Sequence, residues 1–265
     1  MRVSAHPPMP DPLIFLFLLL AACLAGFIDG AVGGGGLISI PALFLGLSSH
    51  PTTTILGTNK VVACTGTTFA AAQFVRSRVV PFREMVFPML AAGIGAALGA
   101  KTAYFFEGRF EAHLRPVMLA MMIAMLLFTL LKPDLGAIHA PKHSKKKQAL
   151  LATLLSLAIG FYDGFFGPGT GTLLIFFFVA LLGFDFLRAS ALSKTVNWAS
   201  NMASLALFVF KGSWLPLVAV SMAAANGIGG YLGAKTALAK GSRWVRALFT
   251  IVVAGLILRL AWQMR

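Results

Sequence analysis

The sequence predicts an all-α polytopic membrane protein of two homologous repeats, each a broken or re-entrant helix pair followed by three long helices. Three observations carry this fold class. Of 265 residues, 58% are hydrophobic and only 11% are charged, outside the usual balance of soluble globular chains. The apolar residues fall in long runs without barrel-type alternation, and a lipid-exposed run must satisfy its own backbone hydrogen bonds, so the runs are helices. Two of them are broken by related motifs, GFIDGAVGGGG at 26–36 and GFYDGFFGPGT at 160–170.

Taken in order, residues 1–12 are polar and proline-rich and read as an unstructured start. The first repeat, 13–131, holds apolar segments near 13–28, 37–47, 54–75, 84–106 and 116–131. A basic linker at 132–148 carries Lys142, Lys145, Lys146 and Lys147. The second repeat, 149–265, holds segments near 149–163, 171–184, 189–210, 214–239 and 244–262. Crossing the hydrocarbon takes roughly 20 helical residues. Segment 37–47 is too short and 13–28 is marginal, so each glycine-rich motif joins either two half-depth helices or the arms of one re-entrant hairpin.

The halves match at a constant offset of 134 residues: Gly26 with Gly160, Asp29 with Asp163, Lys60 with Lys194 and Lys101 with Lys235. Five segments per repeat is an odd number, so the second half enters the membrane inverted. Inversion also places Arg76, Arg78, Arg83, the linker, Arg188, Lys240, Arg243 and Arg246 on one side, as the positive-inside rule asks. Counting each broken pair as a single span instead gives eight spans and parallel repeats, with a poorer charge bias.

A net charge of +14 raises the question of nucleic acid. The basic residues, however, cluster between apolar runs with no stacking platform for bases, and they read as topology signals at a lipid bilayer. Cys23 and Cys64 lie inside apolar runs without ligand spacing, so neither a disulfide nor a metal site is predicted. The lipoprotein-like box Leu20-Ala21-Ala22-Cys23 lacks a basic n-region beyond Arg2, so the first span is expected to be retained. Nucleotide, serine-hydrolase and zinc-protease motifs are absent, so no enzyme and no cofactor is predicted.

Gly33, Gly34, Gly35 and Gly36 let the chain turn and bring backbone N–H groups to a ligand, and a helix starting just after them aims its positive dipole end at the same spot. That combination favours an anion. The second copy supplies Gly167, Gly169 and Gly171, with the Thr170 hydroxyl as a donor, and two such ends converging at mid-membrane suit a transporter with discontinuous helices. Lys60 and Lys194 each sit about two turns into an apolar helix, beside Asn59 and, on one helical face, Asn197 and Asn201. They are the candidate countercharges, and Asn226 extends the stripe. Asp29 and Asp163 have two readings: each caps N–H groups of its turn, or carries a coupling proton or cation. The spacing Gly93-x-Gly95-x-x-x-Gly99 and its copy at 227–233 reads as helix packing.

These residues carry a resemblance. The paired glycine motifs, TNK at 58–60 and SKTVNWASN at 193–201 resemble the TauE/SafE sulfite exporter family, of the 4-toluene sulfonate uptake permease type, over roughly 13–260. The resemblance implies a multi-pass protein of the cell inner membrane that carries sulfur oxyanions or organosulfonates. One departure is that Gly36 and Leu37 stand where the second copy has Thr170 and Gly171, so the half-sites differ chemically. The expected function is secondary transport of a small anion by alternating access at a central site, coupled to a proton or cation gradient. An anion channel and a non-transporting scaffold are the alternatives, and homo-oligomerisation is left open.

Overall fold

The computed structural model describes residues 11–106 and 142–240, with isolated positions within 120–127 and 251–262. Among the described residues there are eight α-helices and no strand: α1 Pro12–Val32, α2 Gly36–Gly46, α3 Thr52–Arg76, α4 Phe82–Phe105, α5 Lys145–Phe165, α6 Thr170–Leu182, α7 Phe186–Phe210 and α8 Pro216–Lys240. The predicted segments 116–131 and 244–262, and most of the linker, lie outside the described residues. Helices α1, α4, α5 and α8 are long and apolar enough to cross a membrane. Helices α3 and α7 are equally long, at 25 residues each, but more polar, because they carry the lysine and asparagine stripes.

Local chemistry sets the helix ends. The Asp11 carboxylate accepts from Leu13 N at 2.8 Å with Pro12 at the first helical position, and Asp185 accepts from Arg188 N at 2.9 Å in the same way. Helix α1 differs from expectation. Its 21 residues run through Asp29 and Gly30 rather than stopping at residue 28, so this arm is not half-depth. The physical reason is that Asp29 finds partners, its carbonyl accepting from Gly33 N at 3.0 Å and its Oδ1 from Gly35 N at 3.2 Å.

Each broken pair is a hairpin with one long and one short arm. A Cβ at Gly35 would meet Ala25 O and Asp29 Cβ, while one at Gly46 would meet the side chains of Ile14 and Leu18, so α2 runs back along α1. In the second pair, Lys142 donates its backbone N–H to Leu182 O at 3.1 Å, which returns the end of α6 to the start of α5.

The long helices pack crosswise between the two halves of the chain. Helix α1 lies on α8, where Cβ atoms at Gly26 and Gly229 would fall 2.1 Å from Asn226 O and 2.0 Å from Cys23 O. Helix α4 lies on α5, where Cβ atoms at Gly95 and Gly160 would fall 2.2 Å from Leu157 O and 2.4 Å from Ala92 O. Both contacts advance together along the two helices, Gly30 meeting Gly230 and Gly99 meeting Phe161, so each pair runs parallel. Helix α3 also runs with α8, since Thr58 meets Leu215 while Gln73 meets Tyr231. It runs against α7, since Lys60 meets Asn201 while Thr68 meets Trp198. Helices α1, α3 and α8 therefore point one way and α4, α5 and α7 the other.

One consequence is a basic face. Arg76 ends α3, and Arg83, Lys145 to Lys147 and Arg188 stand at the starts of α4, α5 and α7. Arg188 pairs there with Glu84 across the two halves, both partly exposed. Exposed pairs contribute little. Glu84→Gln is expected to change unfolding free energy by no more than about 1 kcal/mol in a denaturant titration in micelles.

Candidate functional site

The two glycine-rich turns meet back to back in the middle of the helix bundle. Gly33 has φ of +80°, and a Cβ there would stand 2.6 Å from the carbonyl carbon of Gly171. Its counterpart Gly167 has φ of +92°, and a Cβ there would stand 3.3 Å from Lys60 Nζ. Handedness favours glycine at both, and at Gly33 the close backbone of Gly171 leaves no space for a Cβ either. The Tyr162 hydroxyl donates to Pro168 O at 2.6 Å and braces the second turn.

Each buried lysine reaches the aspartate of the other half. Lys60 Nζ lies 3.0 Å from Asp163 Oδ2, donates to Asp163 O at 2.7 Å and donates to Asn201 Oδ1 at 3.1 Å. Lys194 Nζ donates to Asp29 O and stands 4.0 Å from Asp29 Oδ2. The lysines thus use their charge on the protein first. Asp29 and Asp163 both accept hydrogen bonds from their glycine-rich turns, and each faces a lysine of the other half.

Between the turns and the lysine helices lies a cavity of about 30 Å³, lined by Asp29, Gly34, Gly35, Gly36, Ser39, Asn59, Lys60, Ala63, Thr67, Asp163, Gly167, Thr170, Gly171, Asn197, Asn201 and Asn226. That is room for about two water molecules. Most of the sequence-predicted residues converge on it. Gly33, Gly169 and Lys194 do not line it: Gly33 and Lys194 bond to Asp29 O, and Gly169 packs on the Leu37 side chain.

The donors facing this space can be followed one by one. Gly35 N is taken by Asp29 Oδ1 and Gly167 N by Tyr162 O. Among the described residues, the N–H groups of Gly34, Gly36 and Gly171 have no acceptor in backbone or side chain. Gly36 and Gly171 stand in the first turns of α2 and α6, where no intrahelical carbonyl can reach their N–H groups, and Gly34 stands in the turn just before α2. Asn59 accepts from Ser39 Oγ at 2.6 Å and Asn197 accepts from Asn201 Nδ2 at 3.3 Å, so each engages its oxygen and leaves an amide N–H₂. The arrangement offers hydrogen-bond donors on a neutral set of two lysines and two aspartates.

Sequence reasoning missed Ser39 and Ala63. Ser39 is the one hydroxyl in the apolar α2, a turn after the glycine run, and that position was the available signal. Ala63 has no polar atom to mark it, yet it stands at the position matching Asn197.

The chain as a whole is similar to known proteins. The sequence model of the family described as sulfite exporter TauE/SafE matches residues 18–260. The probable membrane transporter protein ORF9 of a Sinorhizobium species is 36% identical over 247 residues, covering 93% of this chain and 92% of that protein. A probable membrane transporter protein of Haemophilus influenzae is 36% identical over 242 residues, 91% of each chain. The probable membrane transporter protein YfcA of Escherichia coli is 32% identical over 255 residues, 96% of this chain and 92% of that protein. No solved structure matches the chain.

Proposed function

The chain belongs to the sulfite exporter TauE/SafE family of membrane transporters, and on that premise we propose that it carries a small sulfur oxyanion through the cavity between its two halves. The observation that carries the reading is the set of three backbone N–H groups without an acceptor on residues that line one cavity, Gly36 and Gly171 in the first turns of two helices and Gly34 in the turn before the first of them. Helix starts carry a positive partial charge, and an anion there completes bonds that the protein leaves open. Asn59 and Asn197 add amide donors, while Lys60 supplies a charge that an entering anion can share with Asp163. The small volume favours an oxyanion of a few atoms over a bulky organosulfonate.

Alternating access follows as the mode of action. The residues that line the cavity are mostly buried, so a solute reaches it only when the halves part. Inverted repeats provide the means. Their support is the recurrence of each close glycine contact at the same offset in the other half: Gly26 on Asn226 and Gly160 on Ala92, Gly233 on Phe27 and Gly99 on Phe161. The opposed directions of α1 and α5 support inversion over parallel repeats. The basic face at the starts of α4, α5 and α7 then faces the cytoplasm of a cell inner membrane.

The test is a thermal-shift series on purified protein with sulfite, thiosulfate, methanesulfonate, acetate and neutral dimethyl sulfone. A bound oxyanion at a hundredfold over its Kd is expected to add about 2.7 kcal/mol of stability, seen as a raised melting temperature. Dimethyl sulfone should give no shift. Equal shifts with the sulfone, or none with any oxyanion, would overturn the assignment.

A further inference from the structure

The two lysine–aspartate pairs occupy matching positions but are not built alike. Asp163 is saturated: its Oδ1 accepts from Thr170 Oγ1 at 2.7 Å, and its Oδ2 accepts from Ser200 Oγ at 2.7 Å beside Lys60 Nζ at 3.0 Å. Asp29 has one weak bond, from Gly35 N at 3.2 Å to Oδ1, and its buried Oδ2 has no hydrogen-bond partner. The cause can be read in the sequence. Where the second half has Thr170 and Ser200, the first has Gly36 and Gly66, so both hydroxyl donors are missing. Asp29 is only 9% exposed and lines the cavity, and Lys194 Nζ, which donates to its backbone O, stands 4.0 Å from its Oδ2.

An ionised oxygen buried without a donor is costly, and attaching a proton removes that cost. A carboxylate holding two hydroxyl bonds and an ammonium has no such need. From this asymmetry we propose that Asp29 is the proton-carrying residue of the transport cycle and that Asp163 is a permanently ionised structural partner of Lys60. The step is a proton transfer from hydronium in the aqueous phase to Asp29 Oδ2: one O–H bond of the hydronium breaks, the Oδ2–H bond forms, and a water molecule is left behind.

The charge arithmetic links this proton to the solute. Lys60, Lys194, Asp29 and Asp163 sum to zero, and protonated Asp29 leaves Lys194 uncompensated behind the cavity wall, a net charge of one positive unit. An anion then enters a cationic site, so proton and anion bind best together and move in the same direction. Reciprocity makes the effect mutual. Few other titratable groups compete. Lys194 comes from α7, Lys60 with Cys64 one turn on comes from α3, and Asp163 comes from α5, whereas α2 and α6 bring none and the Lys235 of α8 is exposed beside Tyr231. A sodium ion would need several oxygen ligands around Oδ2.

Coupling rests on the transport reading above, so the decisive measurement leaves solute out. Infrared difference spectra of the purified full chain, between alkaline and acid buffer, should contain the carbonyl band of a buried protonated carboxylic acid. Asp29→Asn should remove it and Asp163→Asn should keep it. Gly36→Thr restores the hydroxyl of the other half, and a Cβ there meets nothing nearer than 3.4 Å, so a folded variant with a weakened band is expected. A band that survives in Asp29→Asn, or no band in the native protein, overturns the proposal. So does a sodium-dependent stabilisation abolished by Asp29→Asn. In calorimetry with methanesulfonate, affinity should rise on acidification by up to about tenfold per pH unit, and stay flat in Asp29→Asn. If methanesulfonate binds at no pH, that counts against the anion assignment, and the infrared result still decides Asp29.

Discussion

Lys60→Met is expected to destabilise the folded protein by about 3–5 kcal/mol, because it leaves the ionised Asp163 buried without its cation. Three contacts vanish together, to Asp163 Oδ2, Asp163 O and Asn201 Oδ1, and they join α3 to α5 and α7 across the two halves. The substitution keeps the apolar stem, so the loss reads the charge and its hydrogen bonds rather than volume. The check is a denaturant titration in mixed micelles alongside the double variant Lys60→Met/Asp163→Asn. The double variant should recover much of the loss, since the penalty lies mainly in the orphaned charge. If the two variants are equally damaged, the pair is not the source. The matching Lys194→Met should cost less, because its ammonium stands 4.0 Å from Asp29 Oδ2 and the bond lost is the single one to Asp29 O.

The second large effect separates glycines that share a motif. In Gly93-x-Gly95-x-x-x-Gly99, a Cβ at Gly95 would stand 2.2 Å from Leu157 O and one at Gly99 2.0 Å from Phe161 O, both backbone atoms of α5. Backbone cannot rotate aside, so Gly95→Val or Gly99→Val must push α4 off α5. A loss at or above the top of the usual overpacking range, about 3 kcal/mol, is expected. Gly93 faces another way, with nothing nearer than Ala203 Cβ at 3.7 Å, so Gly93→Ala should be neutral or gain up to about 1 kcal/mol in helix propensity. Size-exclusion profiles and melting temperatures of the variants in detergent decide it. Equal damage at all three positions would mean that the motif acts as a whole and that the close approach is not its basis.

The spacing of Gly93, Gly95 and Gly99 was legible as helix packing, but not which members carry it. Periodicity gives a face, and the partner of that face depends on where a helix from the other half lies. The same limit governs the lysines. Their burial could be read from one chain, and so could their matching offset, yet the partner of Lys60 is 103 residues away at Asp163. Nothing local to TNK at 58–60 names it. Asp29 shows the reverse case: a charge that looked like a helix stop became part of the helix, because its partners arrive from the turn and from α7. Ser39 stayed hidden because one hydroxyl in an apolar run usually bonds its own helix, whereas here it also reaches Asn59 at 2.6 Å. The family resemblance and the all-helical character were plain from composition and motif.

The crosswise packing of α1 on α8 sets a timetable for biogenesis. Asn226 Nδ2 donates to Ala22 O across 204 residues of chain, so α1 leaves the ribosome long before its seat on α8 exists. At typical synthesis rates of about 5–20 residues per second, α1 waits roughly 10–40 s with its glycine face bare. Lipid covers that face poorly, since a groove made of glycine exposes backbone. A pause in translation before α8 would prolong the interval in which quality-control proteases can recognise an unfinished protein.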